Sequence, residues 1–246
     1  MRFVQTVMGM PMSIDIRDAG DWSEAATAAF AVMQDADRRF STFRTDSEVS
    51  AVNRGELDES EYSDDLRDVL AIGDAACVAS GGAFRVRTPG GGLDTDGVVK
   101  GWAAARAAAE LRRRGIRAFC LNAAGDVVVE GAPEPASAWN VGVRSPDDPA
   151  AMLAVLAVTD CSVATSGAYE RGQHIVDART GSAARSLVSV TVIADDLTTA
   201  DVLATTVFAL GREGVGWAVE HGARGVLALT VGGELLATGE LPLATP

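Results

Sequence analysis

Residues 88–115 read TPGGGLDTDGVVKGWAAARAAAELRRRG, and the interpretation of this stretch decides the fold. A proline and a run of glycines come first, then an acidic pair, then an alanine-rich segment. Alanine and leucine lose little on entering a helix, so a helix is predicted from about Val98 to Arg114, with Gly115 as its stop signal. Asp94-Thr95-Asp96-Gly97 also matches the Asp-x-Asp-Gly pattern of haloacid dehalogenase-type phosphatases, with Thr165 and Asp195-Asp196 following in a plausible order. That nucleophile must end a buried parallel strand, and Thr88-Pro89-Gly90-Gly91-Gly92 cannot be a central strand. The doubly wound reading therefore fails at this point.

Working outward, strands are predicted at 2–7 and 12–16, separated by a Gly-Met-Pro break. Trp22, Ala26, Phe30, Met33 and Phe40 recur at helical spacing and predict an amphipathic helix over 22–39. A polar, charge-rich loop through Asp65 follows, then a second helix through Leu66, Val69, Leu70 and Cys77 that ends at Ser80-Gly81-Gly82. Downstream the pattern gives strands at 117–121, 126–130 and 139–143, further apolar runs at 153–158 and 161–164, and a glycine-punctuated loop over 166–182. A strand over 187–193, a helix over 200–210 capped by Thr198 or Thr199, a helix over 213–221 and strands at 225–230 and 234–237 complete the chain. Strands come in groups and do not alternate strictly with helices. The expectation is α+β: one domain over residues 1–246, mostly antiparallel sheets with packed helices.

Composition narrows the function. The 246 residues are 48 % hydrophobic and 22 % charged, an ordinary globular balance. A net charge of −13 argues against nucleic acid, which needs a concentrated basic surface. The one basic cluster, Arg112-Arg113-Arg114, suits the carbonyl end of a helix. Such an acidic protein would hold a pyrophosphate poorly without a cation. Cys77, Cys120 and Cys161 form neither a disulfide framework nor a thiolate metal motif and are expected as buried free thiols. No apolar run approaches the ~20 residues that span a bilayer, and the start carries no signal segment, so a cytoplasmic location without membrane insertion is expected.

Three constellations carry chemistry. Around Asp94 to Gly101, glycines allow close backbone approach, a helix start attracts phosphate, and Lys100 can pair with the same anion; the bland alternative is an acidic helix cap. Thr165, Ser166 and Gly167, with His174 behind them, offer hydroxyls and glycines for a pyrophosphate, although a lone histidine is often structural. Asp201 and Thr205 lie one turn apart on one helical face and supply hard oxygen donors suited to Mg²⁺, although an aspartate in a first helical turn is also an ordinary cap.

Read together, VMGMPMSIDI, RFSTFRTDSEVSAVN, SGGAF, LDTDGVVKGW, LNAAGDVVVEG, ATSGAYERGQHIVDARTG and SVTVIADDLTTADVLATTVFALG occur in the order of, and resemble, the FAD:protein FMN transferase (ApbE) family. The resemblance implies Mg²⁺-dependent transfer of FMN from FAD to a threonine or serine hydroxyl of an acceptor protein, with release of AMP. It implies metal ligation by Asp201, Thr205 and the backbone carbonyl of Gly97. It places FAD against Met8, Phe43, Ala83, Phe84, Arg85, Asp94, Lys100 and Val176, with Thr165, Ser166 and Gly167 along the pyrophosphate. Asp201 and His174 are the catalytic candidates, His174 as acceptor of the hydroxyl proton. Hydrolysis of FAD to FMN and AMP, or flavin binding without chemistry, are the alternative outcomes. Arg85 stands where the family has aspartate, Asp96 replaces a small residue, and only Val86 to Gly92 fill a stretch that usually runs to several dozen residues.

Overall fold

The computed structural model describes residues 1–148, 150–167 and 175–244. Its centre is an eight-stranded sheet. In chain order the sheet uses β1 (Arg2–Val7), β2 (Met10–Ile16), β3 (Phe119–Ala123), β4 (Asp126–Glu130), β7 (Cys161–Gly167), β10 (Leu187–Ala194), β11 (Ala223–Thr230) and β12 (Leu235–Gly239). These strands lie side by side in that order, and every neighbouring pair is antiparallel. β5 (Trp139–Arg144) and β6 (Met152–Val158) form a separate hairpin, and β8 (Val176–Asp177) pairs with β9 (Ser182–Ala183). The expected α+β class holds, and Asp94 does not end a parallel strand.

Two hairpin turns at one end of the sheet matter for the site. Met8 (φ 53°) and Gly9 (φ 71°) join β1 to β2, while Ala124 (φ 56°) and Gly125 (φ 108°) join β3 to β4. Paired positive φ values give the turn twist that two-residue hairpins require. The break in the first hairpin is thus Met8-Gly9, and β2 starts before Pro11 instead of after it.

The helices are α1 (Ser23–Phe40), α2 (Glu48–Asn53), α3 (Asp64–Ala79), α4 (Asp96–Arg113), α5 (Leu197–Leu210) and α6 (Arg212–Glu220). Helix α2 lies inside the stretch expected as loop; Ser47 caps it by accepting the Ser50 N–H at 3.0 Å. Helix α4 stops at Gly115 (φ 89°), as its sequence dictates. Helix α5 is capped by Asp196, which accepts the Thr199 N–H at 3.1 Å, so the cap is neither Thr198 nor Thr199. Buried on most of its surface, with Asp201 and Thr206 among the buried residues, α5 packs between α4 and the sheet.

The main core lies between the sheet and the helices and includes Phe30, Met33, Leu111, Phe119, Val192 and Phe208. A smaller cluster around Trp139, Val143 and Leu156 sits under the β5–β6 hairpin. Of the cysteines only Cys161 is fully buried; Cys77 and Cys120 are half-buried, and all three are free. Arg112 pairs with Glu130, and Arg113 and Arg114 with Glu110, so side-chain acids as well as the helix end meet this cluster. Among the described residues no helix is long and apolar enough to cross a membrane.

Candidate active site

Helices α4 and α5 run antiparallel and touch through glycines. A Cβ on Gly101 would lie 2.7 Å from the Leu197 carbonyl oxygen and 2.8 Å from the Asp201 Cβ. One turn earlier, a Cβ on Gly97 would lie 2.9 Å from the Phe84 ring and 3.9 Å from the Thr205 Cγ2. The i, i+4 pair of one helix therefore faces the i, i+4 pair of the other: Gly97 against Thr205 and Gly101 against Asp201. The absence of side chains on α4 lets Asp201 reach across, and its Oδ2 accepts the Gly101 N–H at 2.9 Å.

Asp201 is buried, and its Oδ1 stands 3.4 Å from the Lys100 ammonium. That ammonium makes a closer ion pair with Asp126, which is 2 % exposed. Asp126 Oδ1 also accepts the Thr165 N–H at 2.8 Å. Burial pushes the Asp201 carboxyl up to about 7; the Lys100 charge opposes the shift and the Asp126 charge adds to it. Burial prevails because the lysine is shared with a second carboxylate. On the other side, Thr205 Oγ1 lies 3.1 Å from Ser166 Oγ, and Thr165 Oγ1 lies 2.9 Å from Thr191 Oγ1.

This cluster forms one wall of a cleft of about 930 Å³. The hairpin turn brings Met8 to the rim, and the segment after α1 brings Phe43, which is 92 % exposed. Ala83, Phe84, Arg85 and Asp94 line the wall before and at the start of α4, and Gly97 and Lys100 follow on the helix itself. Thr165, Ser166 and Gly167 contribute the end of β7; the expected loop thus starts later, with β8 and β9 inside it. Val176, Asp201 and Thr205 also line the cleft, so every sequence-nominated residue within the described segments meets there. His174 lies outside the described residues.

Several residues that build the site were missed. Asn53, at the end of α2, accepts the Leu93 N–H at 2.6 Å and donates to the Leu93 carbonyl at 3.0 Å, fixing the residue before Asp94. Ser80 Oγ accepts the Phe84 N–H at 3.1 Å, and Asp37 accepts the Met8 N–H at 3.3 Å. Asp126 is the most consequential omission. Its signal was a carboxylate opening the otherwise apolar run Val127-Val128-Val129.

Oxygen donors at Asp201 and Thr205, with the Gly97 backbone beside Thr205, suit a hard divalent cation. Among the described residues no group of three His, Cys, Asp or Glu side chains forms an alternative metal cage.

The ApbE family model matches residues 8–88 and 85–230, most of the chain. The chain belongs to the ApbE family. An FAD:protein FMN transferase of Rhodobacter capsulatus is 35 % identical over 173 residues, covering 66 % of this chain and 32 % of that protein. One of Treponema pallidum is 35 % identical over 139 residues, covering 49 % of this chain and 38 % of its own length. The matched part thus spans about a third of these curated ApbE relatives. The fold is that of the flavin transferase ApbE from Vibrio cholerae, with TM-score 0.83 at 20 % identity, covering 97 % of this chain and 96 % of that one. The apo ApbE of Pseudomonas stutzeri gives TM-score 0.82 at 21 % identity, covering 97 % and 93 % of the two chains.

Proposed function

We propose that this ApbE chain acts as one flavin transferase domain, moving FMN from FAD onto a threonine or serine hydroxyl of an acceptor protein and releasing AMP. The observation that carries this reading is the meeting of Gly97 and Gly101 with Thr205 and Asp201 at the wall of a cleft large enough for a dinucleotide. Exposed Phe43 and half-exposed Val176 at the same cleft offer apolar cover for a ring system, a use that explains why an aromatic side chain stands in water.

In the proposed reaction the acceptor oxygen bonds to the FMN phosphorus, the pyrophosphate P–O bond breaks, and AMP departs with the bridging oxygen. Asp201, Thr205 and the Gly97 carbonyl would hold Mg²⁺, which supplies charge neutralisation at the phosphates when bound. Lys100 presents an ammonium to the same anion, and the end of β7 presents the Thr165 and Ser166 hydroxyls. Arg85 stands exposed at the cleft with no ion pair among the described residues, placed to meet a phosphate where the family resemblance leads one to expect a carboxylate. His174 is the proposed acceptor of the hydroxyl proton.

The test is AMP release from FAD and Mg²⁺ with and without a flavoprotein acceptor, coupled to mass spectrometry of the acceptor. AMP that depends on acceptor, with FMN mass added to a Thr or Ser, is the expected result. AMP without acceptor would make the chain an FAD pyrophosphatase. Bound flavin without AMP would make it a binder, and either outcome would overturn transfer.

A further inference from the structure

Among the described residues of the site, two buried carboxylates, Asp126 and Asp201, meet at one largely buried ammonium, that of Lys100. Both carboxylates contact Lys100, which sits closer to Asp126. Asp126 in turn cannot turn away, because the two-residue Ala124-Gly125 turn sets its place opposite Ala123 and its Oδ1 is held by the Thr165 N–H. Its second oxygen, Oδ2, makes no hydrogen bond among the described residues and meets Lys100 only as an ion pair. For Asp201 the opposite holds: Oδ2 is committed to the Gly101 N–H, and Oδ1 is the atom shared with Lys100.

A lysine facing the only carboxylate of a cation site would compete with the cation for it. We propose that Asp126 is a positioning residue that draws the Lys100 ammonium aside, so that Asp201 Oδ1 stays available to a divalent cation. The inference rests on the flavin transferase reading given above. It assigns to Asp126 a role distinct from ligation: it holds the Lys100 ammonium away from the metal position. With Asp126 neutral, the pull that holds Lys100 off Asp201 is lost, and the Lys100–Asp201 ion pair tightens across the cation position. Such a pair is costly to break, since it would leave a buried charge unpartnered.

The experiment measures binding of Mn²⁺ alone by calorimetry, without FAD or turnover. Asp126→Asn keeps an oxygen to accept the Thr165 N–H and so keeps the hairpin. It is expected to weaken Mn²⁺ binding by about tenfold or more, in the range seen when groups that orient a metal's ligands are removed. Adding Lys100→Met in the same chain removes the competitor and is expected to bring the constant back near the wild-type value, an effect no merely structural role of Asp126 would produce. Unchanged affinity in D126N, or a double variant as weak as D126N, would overturn the proposal while leaving the transferase reading intact. Should D126N fail to fold, K100M alone decides: it is expected to bind Mn²⁺ at least as tightly as wild type, and weaker binding would refute the competition. A wild-type protein that binds no Mn²⁺ would remove both this proposal and the metal assignment beneath it.

Discussion

Replacing Gly101 by alanine tests the helix contact on which the site stands. The added methyl would sit 2.7 Å from the Leu197 carbonyl oxygen, a backbone atom that no rotamer change can move. Reaching the 3.4 Å of ordinary contact requires α4 and α5 to part by about 0.7 Å, and Asp201 moves with α5. Two energies compete. Alanine gains up to ~1 kcal/mol over glycine inside a helix. Overpacking in a filled core costs about 1–3 kcal/mol. The clash is against backbone, so the upper half of that cost applies, and a net loss of about 1–2 kcal/mol is expected, or roughly 2–8 °C in Tm for a chain of this size. A catalytic constellation displaced by ~1 Å loses on the order of a hundredfold in rate, so AMP release should fall at least tenfold. Gly216 supplies the control: it is exposed within α6, and a Cβ there meets nothing within 4 Å. Gly216→Ala should stabilise by up to ~1 kcal/mol with activity unchanged. Urea unfolding and AMP release of both variants make the comparison. Equal stability and turnover in G101A and wild type, or destabilisation of similar size in G216A, would refute the idea that a glycine contact positions Asp201.

Phe43→Ala should leave stability within ~0.5 kcal/mol, because the ring is 92 % exposed, yet raise the Kd for FAD measured by flavin fluorescence; unchanged affinity would deny Phe43 its role over the ring system. Asp201 gives a pH signature in the cation-free protein. Its folded carboxyl is raised to about 7, so as pH climbs from about 4 to 7 the unfolded chain surrenders this proton first and the folded state loses stability. Urea unfolding across that window should therefore show wild type falling relative to D201N, and saturating Mg²⁺ should abolish the difference; parallel curves would refute the shift. His174→Ala should lower the transfer rate at neutral pH by about 10²–10⁴-fold if His174 takes the hydroxyl proton, and a retained rate would end that assignment.

Elements with strong periodicity were legible in the sequence, and the described residues nominated from short motifs line one cleft. The Asp201–Thr205 spacing is a property of one helix, and Gly97 belongs to a stretch whose glycines are unusual in a helix start. What was hidden depended on pairs distant in the chain. Asp126 gains its meaning from Lys100, 26 residues earlier, and from a β7 amide 39 residues later; neither leaves a mark near position 126. Helix α2 is only six residues long, too short for a period to emerge, and its Ser47 cap resembles the serines around it. At α5 the run Asp195-Asp196-Leu197-Thr198-Thr199 offers several capping residues, and only the backbone path selects Asp196. Thr165 to Gly167 resembled loop because small polar residues seldom announce a strand, yet Thr165 stands opposite Thr191 in register.

The short segment Val86 to Gly92 sharpens the same point about distant partners. The family resemblance leads one to expect several dozen residues there, and their loss would threaten the wall formed by Phe84 and Asp94. The structure shows the segment held both by groups outside it and by a turn of its own. Arg87 reaches Asp74 of α3 and Glu59, Thr88 closes a tight turn on Gly92, and Asn53 takes both backbone groups of Leu93. Asp94 is further tied by its N–H to the Val86 carbonyl at 2.8 Å. These anchors, on α2, on α3, at Glu59 and within the turn itself, fix Arg87 and Leu93 and so steady the wall formed by Phe84 and Asp94.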